Sequence, residues 1–217
     1  MYLQGKTKMA NKKLQQESKY EKYDLNGDGN KDLFNTGNLW LTDNGKFVES
    51  HNNLPDFMLS NLNADGVDVG LFVHDHAVGD LNGDGFVDIF MPNTTPVSSQ
   101  NNMYKFFMLN DGNGNFTNTS FEVGHSPYFA TSTTIADFDG DGYGDIALGW
   151  SDYAYIDLGG NSVGGIYWGN AETDYTKDYT ALPPGYYEHN IAFDMQATDI
   201  NADGLLDLVI ANTRGDE

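Results

Sequence analysis

Four copies of one nine-residue loop constrain most of what this chain can fold into. They read DLNGDGNKD from Asp24, DLNGDGFVD from Asp80, DFDGDGYGD from Asp137 and DINADGLLD from Asp199, and they align without gaps. Their starts lie 56, 57 and 62 residues apart. A near-constant period of this length marks one supersecondary unit copied along the chain, so each unit must bury its apolar face against its neighbours.

The segments between the loops read as β-structure. Each loop runs straight into a short apolar stretch: Leu33 and Phe34; Ile89, Phe90 and Met91; Ile146, Ala147 and Leu148; Leu208, Val209 and Ile210. Aromatic-rich runs follow and end in turn signals. Leu39, Trp40 and Leu41 lead to Asp43-Asn44-Gly45. The run from Tyr104 to Leu109 leads to Asn110-Asp111-Gly112-Asn113-Gly114. Ile166, Tyr167 and Trp168 lead to Gly169-Asn170. Asn-Gly and Asp-Gly between such runs favour tight hairpins, because type I′ turns need positive φ. A further apolar run precedes each later loop, as Gly70 to Val73 precede Asp80. The count is about four strands per unit, and few segments beyond the first 23 residues show helical periodicity of useful length. Four-stranded units repeated in series predict an all-β, β-propeller-like fold of about three to four blades.

The loop chemistry points to a hard cation. Positions 1, 3 and 5 carry oxygen donors, position 6 is Gly, position 7 offers its backbone carbonyl and position 9 is Asp. The predicted ligands are Asp24, Asn26, Asp28, Asn30 and Asp32 in the first loop, and Asp80, Asn82, Asp84, Phe86 and Asp88 in the second. They are Asp137, Asp139, Asp141, Tyr143 and Asp145 in the third, and Asp199, Asn201, Asp203, Leu205 and Asp207 in the fourth. Alternate residues of a tightly curled loop can aim their oxygens at one centre, and the Gly permits the sharp turn. Calcium takes six to eight such oxygens in flexible geometry, whereas Mg²⁺ resists losing its waters and softer metals prefer nitrogen or sulfur. The closing Asp at position 9, with a strand after it, separates these loops from EF-hands, which close with Glu at position 12 and continue into a helix. A single Asp- and Gly-rich stretch reads equally well as an ordinary turn; four gapless copies with one ligand pattern do not. The expectation is about four Ca²⁺ ions.

Charge narrows the partners. The chain holds 32 acidic and 11 basic residues, for a formal net charge of −21. Such a chain repels nucleic acid and anionic membranes and attracts cations. Six of the basic residues (Lys6, Lys8, Lys12, Lys13, Lys19 and Lys22) crowd the polar lead-in of residues 1–23, which has no apolar core of a signal peptide. No stretch approaches the roughly 20 apolar residues of a membrane helix. The absence of cysteine excludes disulfides, thiol catalysis and thiolate metal sites.

At these loops, matching D-x-[DN]-x-[DN]-G-x-x-D ahead of a strand at 24–32, 80–88, 137–145 and 199–207, the chain resembles the FG-GAP/VCBS repeat family, which includes the integrin α-subunit head. The resemblance covers residues 24–217. It implies a secreted, cell-surface or periplasmic propeller whose loops hold Ca²⁺, used in adhesion or in binding a protein or glycan ligand; a non-catalytic module is expected because the residues show no catalytic constellation. Some relatives are lectins or polysaccharide lyases, so a carbohydrate-active protein on the same propeller is the alternative. Full propellers of the family have seven blades, so the chain is expected to be part of a larger ring, completed by further blades or by self-association.

Several weaker motifs have ordinary readings. The stretch from Asn61 to Asp68 resembles a fifth loop but places its last Asp at position 8, so a turn is preferred. His74 and His76 could share one face of a strand as a Zn²⁺ pair, but no third ligand is near in sequence, and packing beside the next loop is preferred. Gly160 to Gly164 spells G-x-S-x-G in a glycine-rich loop that precedes a strand, the wrong setting for a nucleophile elbow. Arg214-Gly215-Asp216 is a three-residue match that chance supplies. Asn93, Asn115 and Asn118 lie in glycosylation sequons. Trp40, Trp150, Trp168, Tyr186 and Tyr187 could stack on sugars, but packing between blades is preferred. The acids outside the loops form no catalytic pair.

Overall fold

The computed structural model describes residues 22–35, 37–55, 73–92, 105–119, 130–150, 164–183 and 190–214. They hold fourteen strands and a single-turn 3-10 helix, His51–Asn53. The first sheet is β1 (Lys22–Tyr23), β2 (Asp32–Asn35), β3 (Asn38–Asp43) and β4 (Lys46–Glu49). The second is β5 (Ala77–Gly79), β6 (Asp88–Pro92), β7 (Lys105–Asn110) and β8 (Phe116–Thr119). The third is β9 (Ala130–Ala136), β10 (Asp145–Trp150), β11 (Gly164–Tyr167) and β12 (Tyr179–Ala181). The fourth pairs β13 (Asn190–Thr198) with β14 (Asp207–Arg214). Each sheet is an antiparallel meander, and none closes on itself among the described residues. The all-β, blade-like expectation holds, with four strands in three units and two described strands in the last.

Local chemistry explains the tight connections. Asn44 and Gly45 both take positive φ, 50° and 75°, between paired Asp43 and Lys46. That is the two-residue hairpin the Asn-Gly signal predicts. Gly169 with Asn170 behaves differently and opens a longer connection, in which the Asn170 side chain accepts the Glu172 and Asp174 amides.

Period-two alternation divides the core between neighbouring sheets. Ile89 and Met91 of β6, with Phe106 and Met108 of β7, pack against Leu25, Phe34 and Leu39 of the first unit. The intervening Phe90 and Phe107 face the other way and join Ile146, Leu148, Trp150 and Tyr167. On β10 and β11, Ala147 and Ile166 face the fourth sheet, where Ala192, Met195, Leu208 and Ile210 meet them. Successive side chains on a strand point to opposite faces, so β6 and β10, covered on both, are buried along their whole length. Each fully buried Phe contributes about 1.5–3 kcal/mol by area removed from water. Sheets three and four meet closely at Gly149, where a Cβ would fall 2.6 Å from Met195 Cε and 2.7 Å from Ala192 Cβ.

Residues of β5, β9 and β13, with Tyr23, line a cavity of about 340 Å³ that also receives Asp75, His76 and Asp194. No helix among the described residues is long and apolar enough to cross a membrane.

Candidate metal centres

Each Asp-rich loop joins the first strand of its sheet to the second. The four loops therefore sit at equivalent corners of four stacked sheets. One hydrogen-bond pattern builds them all. The position 1 carboxylate accepts the amides of positions 5 and 6, as Asp24 does from Asp28 and Gly29 at 3.0 and 2.8 Å. Position 3 accepts the position 5 amide, and position 5 accepts the position 7 amide, as Asn82 does from Asp84 and Asp84 from Phe86. Position 9 reaches back to the position 2 amide: Asp32 to Leu25, Asp88 to Leu81, Asp145 to Phe138 and Asp207 to Ile200. The backbone reverses at positions 4 and 6, both with positive φ in every loop. Position 4 is Gly27, Gly83, Gly140 or Ala202, and position 6 is Gly29, Gly85, Gly142 or Gly204.

In the third loop Asp137, Asp139 and Asp145 each bring an oxygen within 4.8 Å of the others. Two ligands of one calcium, each about 2.3–2.6 Å from it, can be no farther apart than roughly 5 Å, so this spacing fits a shared ion. The Asp141 carboxylate lies outside this group, with one oxygen accepting the Tyr143 amide at 2.9 Å. In the other loops the position 3 Asn donates its side-chain amide to the position 5 carboxylate, at 3.2, 2.9 and 2.9 Å from Asn26, Asn82 and Asn201.

Position 9 is where the loop enters the core. Asp32, Asp88 and Asp145 are fully buried, while positions 3 to 6 are largely exposed. The second oxygen of each buried Asp accepts an amide from beyond the loop: Thr42 for Asp32, Asn110 for Asp88 and Gly169 for Asp145. Burial pushes Asp88 and Asp145 up to about 6; the backbone amides oppose this, and the other loop carboxylates add to it. Asp32 is raised by the same cause, whereas the Asn30 amide lowers exposed Asp28. Among the described residues the ion pairs are Glu49 with His51 and Asp174 with Lys177, and neither touches a loop. The loops thus gather oxygen donors and a large excess of negative charge, with Lys31 of the first loop the one basic residue within them, a donor set suited to a hard divalent ion.

Position 4 and the amides that hold position 9 were not legible in the sequence pattern. The loop glycines could have shown position 4, since three of four loops carry Gly there. The outside amides carry no such signal, because Thr42, Asn110 and Gly169 lie 10, 22 and 24 residues after their Asp.

The weaker motifs fall as follows. Residues 74–76 are not in a strand, which corrects the expectation of a histidine pair on one strand face. His74 is exposed, and His76 packs edge-on against Phe34 at 5.1 Å, with burial lowering it to about 4. Among the described residues the one group of three or more His, Asp or Glu close enough to share an ion is that of Asp137, Asp139 and Asp145. Trp150 is fully buried between the second and third sheets, as packing requires. Trp168 is half-buried and donates to Thr180 Oγ1 at 2.9 Å, and Trp40 sets its edge against His51. The lead-in up to residue 21, Asn61 to Asp68, Asn93, Gly160 to Val163, Tyr186, Tyr187, Gly215 and Asp216 lie outside the described residues.

A comparison with curated proteins finds no match. Residues 80–148 match the model of the FG-GAP-like repeat, a span that opens on the second loop, crosses the second sheet and ends inside β10. That span is an FG-GAP-like repeat, and the units on either side carry the same loop in the same place.

Proposed function

We propose that the protein is a calcium-stabilised, non-catalytic repeat module that works outside the cell, at its surface or in the periplasm, and presents its blades to a protein or glycan ligand. The observation that carries the calcium reading is the third loop, where three carboxylates converge within 4.8 Å. The repetition of its hydrogen bonds in the other loops supports one ion in each, about four in all.

The holding groups would be the oxygens of positions 1, 3, 5 and 9, with the position 7 carbonyl. The ion would supply positive charge to carboxylates that otherwise repel one another, and it would fix the hairpin between the first two strands. A ligand that binds only the folded state stabilises it by RT ln(1 + [L]/Kd), about 2.7 kcal/mol per site at a hundredfold excess over Kd. Thermal melts with calcium and with chelator test the reading. Calcium should raise Tm by well over 5 °C, with about four ions per chain counted by native mass spectrometry. Superimposable melts reject it.

A further inference from the structure

Two buried side chains tie each loop to the next. Asn110, at the end of β7, donates one side-chain N–H to the Leu25 carbonyl at 2.8 Å and the other to the Val87 carbonyl at 3.0 Å. Leu25 is position 2 of the first loop, and Val87 is position 8 of the second. One blade on, the Tyr175 hydroxyl lies 2.8 Å from the Gly144 carbonyl and 3.4 Å from that of Leu81. Leu81 is position 2 of the second loop, and Gly144 is position 8 of the third. Different residue types, on differently built connections, thus reach the same pair of carbonyls across the same blade junction.

The contacts run on without a break. The Asp32 carboxylate holds the Leu25 amide, the Leu25 carbonyl holds Asn110, and the Asn110 amide holds Asp88. The other Asp88 oxygen holds the Leu81 amide, whose carbonyl meets Tyr175, and Tyr175 holds the residue before Asp145. Asn110 and Tyr175 are both buried, and Tyr175 stacks on Phe107 at 5.5 Å. The loops also touch directly: a Cβ on Gly83 would lie 2.9 Å from the Tyr143 ring, and one on Gly144 would lie 2.4 Å from the Asp80 carbonyl.

We infer that Asn110 and Tyr175 are positioning residues that couple the first three loops, so that calcium filling one loop favours filling of the next. The inference rests on the calcium reading above. An ion that orders one closing Asp also orders the bridge it holds, and the neighbouring loop then binds with less ordering left to do. Asn110 commits a separate hydrogen to each carbonyl, whereas Tyr175 shares one proton between two. The first junction should therefore couple more strongly than the second.

The test is a cycle read by calcium titration. With Tyr175 intact, disabling the second loop by Asp80→Ala with Asp84→Ala should weaken calcium at the third loop about tenfold, within the usual range of coupling between sites. In a Tyr175→Phe background, which keeps the ring packing and removes only the hydroxyl, the same loss should shrink below about threefold. An unchanged ratio overturns the inference. Asn110→Ala should uncouple the first and second loops more completely, though it also frees the Gly112 and Gly114 amides of its own turn. A calcium-free readout stands beside these. Tyr175→Phe should speed hydrogen exchange at the Leu81 and Phe138 amides and leave those of Leu25 and Ile200 alone, and unaltered exchange at both former sites counts against the bridge. Tight but independent calcium binding overturns the coupling alone, whereas no calcium binding by the unaltered protein overturns both readings.

Discussion

The second and fourth loops are the same object in different surroundings. Inside each, position 1 accepts the amide of position 6, position 3 that of position 5, and position 9 that of position 2, with distances that agree within a few tenths of an ångström. Around them little is shared. Leu81, at position 2 of the second loop, is 0% exposed, while its counterpart Ile200 is 67% exposed. Asp88 is fully buried and receives a further amide from Asn110, while Asp207 is half-buried. The second sheet is covered on both faces, whereas Phe193 and Val209 of the fourth are 51% and 40% exposed. The comparison teaches that nine residues are enough to shape the loop and that the neighbouring blades decide how firmly it is held.

The largest effect should appear at position 2. Leu81→Ala removes a side chain from the packed junction of the second and third sheets and should cost about 3 kcal/mol, as core truncations to Ala do. Ile200→Ala should change stability by less than about 0.5 kcal/mol, as surface changes do. Denaturant unfolding of both variants checks this, and equal losses would break the comparison.

A pH series probes position 9. Asp88 and Asp145 sit near 6 in the folded, calcium-free protein, above the roughly 3.9 of a free Asp. Between about pH 4 and 6 the folded state therefore binds more protons than the unfolded one, so these groups favour folding below pH 4 and lose that contribution as pH rises to 6. Chelator-treated protein should lose Tm across this window, and Asp88→Asn with Asp145→Asn should flatten the loss. Calcium requires the ionised form, so its affinity for the second and third loops should fall from pH 7 to pH 5. A titration that gives equal affinities at the two pH values contradicts the burial argument.

The smallest effect lies at position 4. Ala202 holds φ at 61°, a conformation that its Cβ disfavours, where the other loops carry Gly. Ala202→Gly should stabilise the fourth loop by about 0.5–1 kcal/mol, seen as a modest rise in Tm. Gly83→Ala should act in the opposite direction and more strongly, because its Cβ would also meet the Tyr143 ring 2.9 Å away.

Much of the fold was legible because it is written locally. Asn44-Gly45 announces its hairpin, and the apolar residues after each loop, among them Ile89, Phe90 and Met91, announce the second strand. Part of the site was legible for the same reason, since alternate oxygens in a glycine-bent loop lie within a few residues of one another. The bridges were not. Asn110 follows Asp88 by 22 residues and Tyr175 follows Asp145 by 30, and the two differ in type, so no period or motif joins them. The histidine pair was misplaced onto a strand because alternation of His74 and His76 reads as period two whether or not the backbone is extended.

By itself, then, the amino-acid sequence determined the repeat, the loop chemistry, the β-class of the fold and the acidic character that favours cations. Each of these depends on residues close together in the chain, or on totals. Only the tertiary structure decided which closing Asp is buried, which amides hold it and which loops share a bridge. Those outcomes depend on one blade packing against the next, where contacts such as Asn110 to Leu25 span 85 residues that no local rule connects.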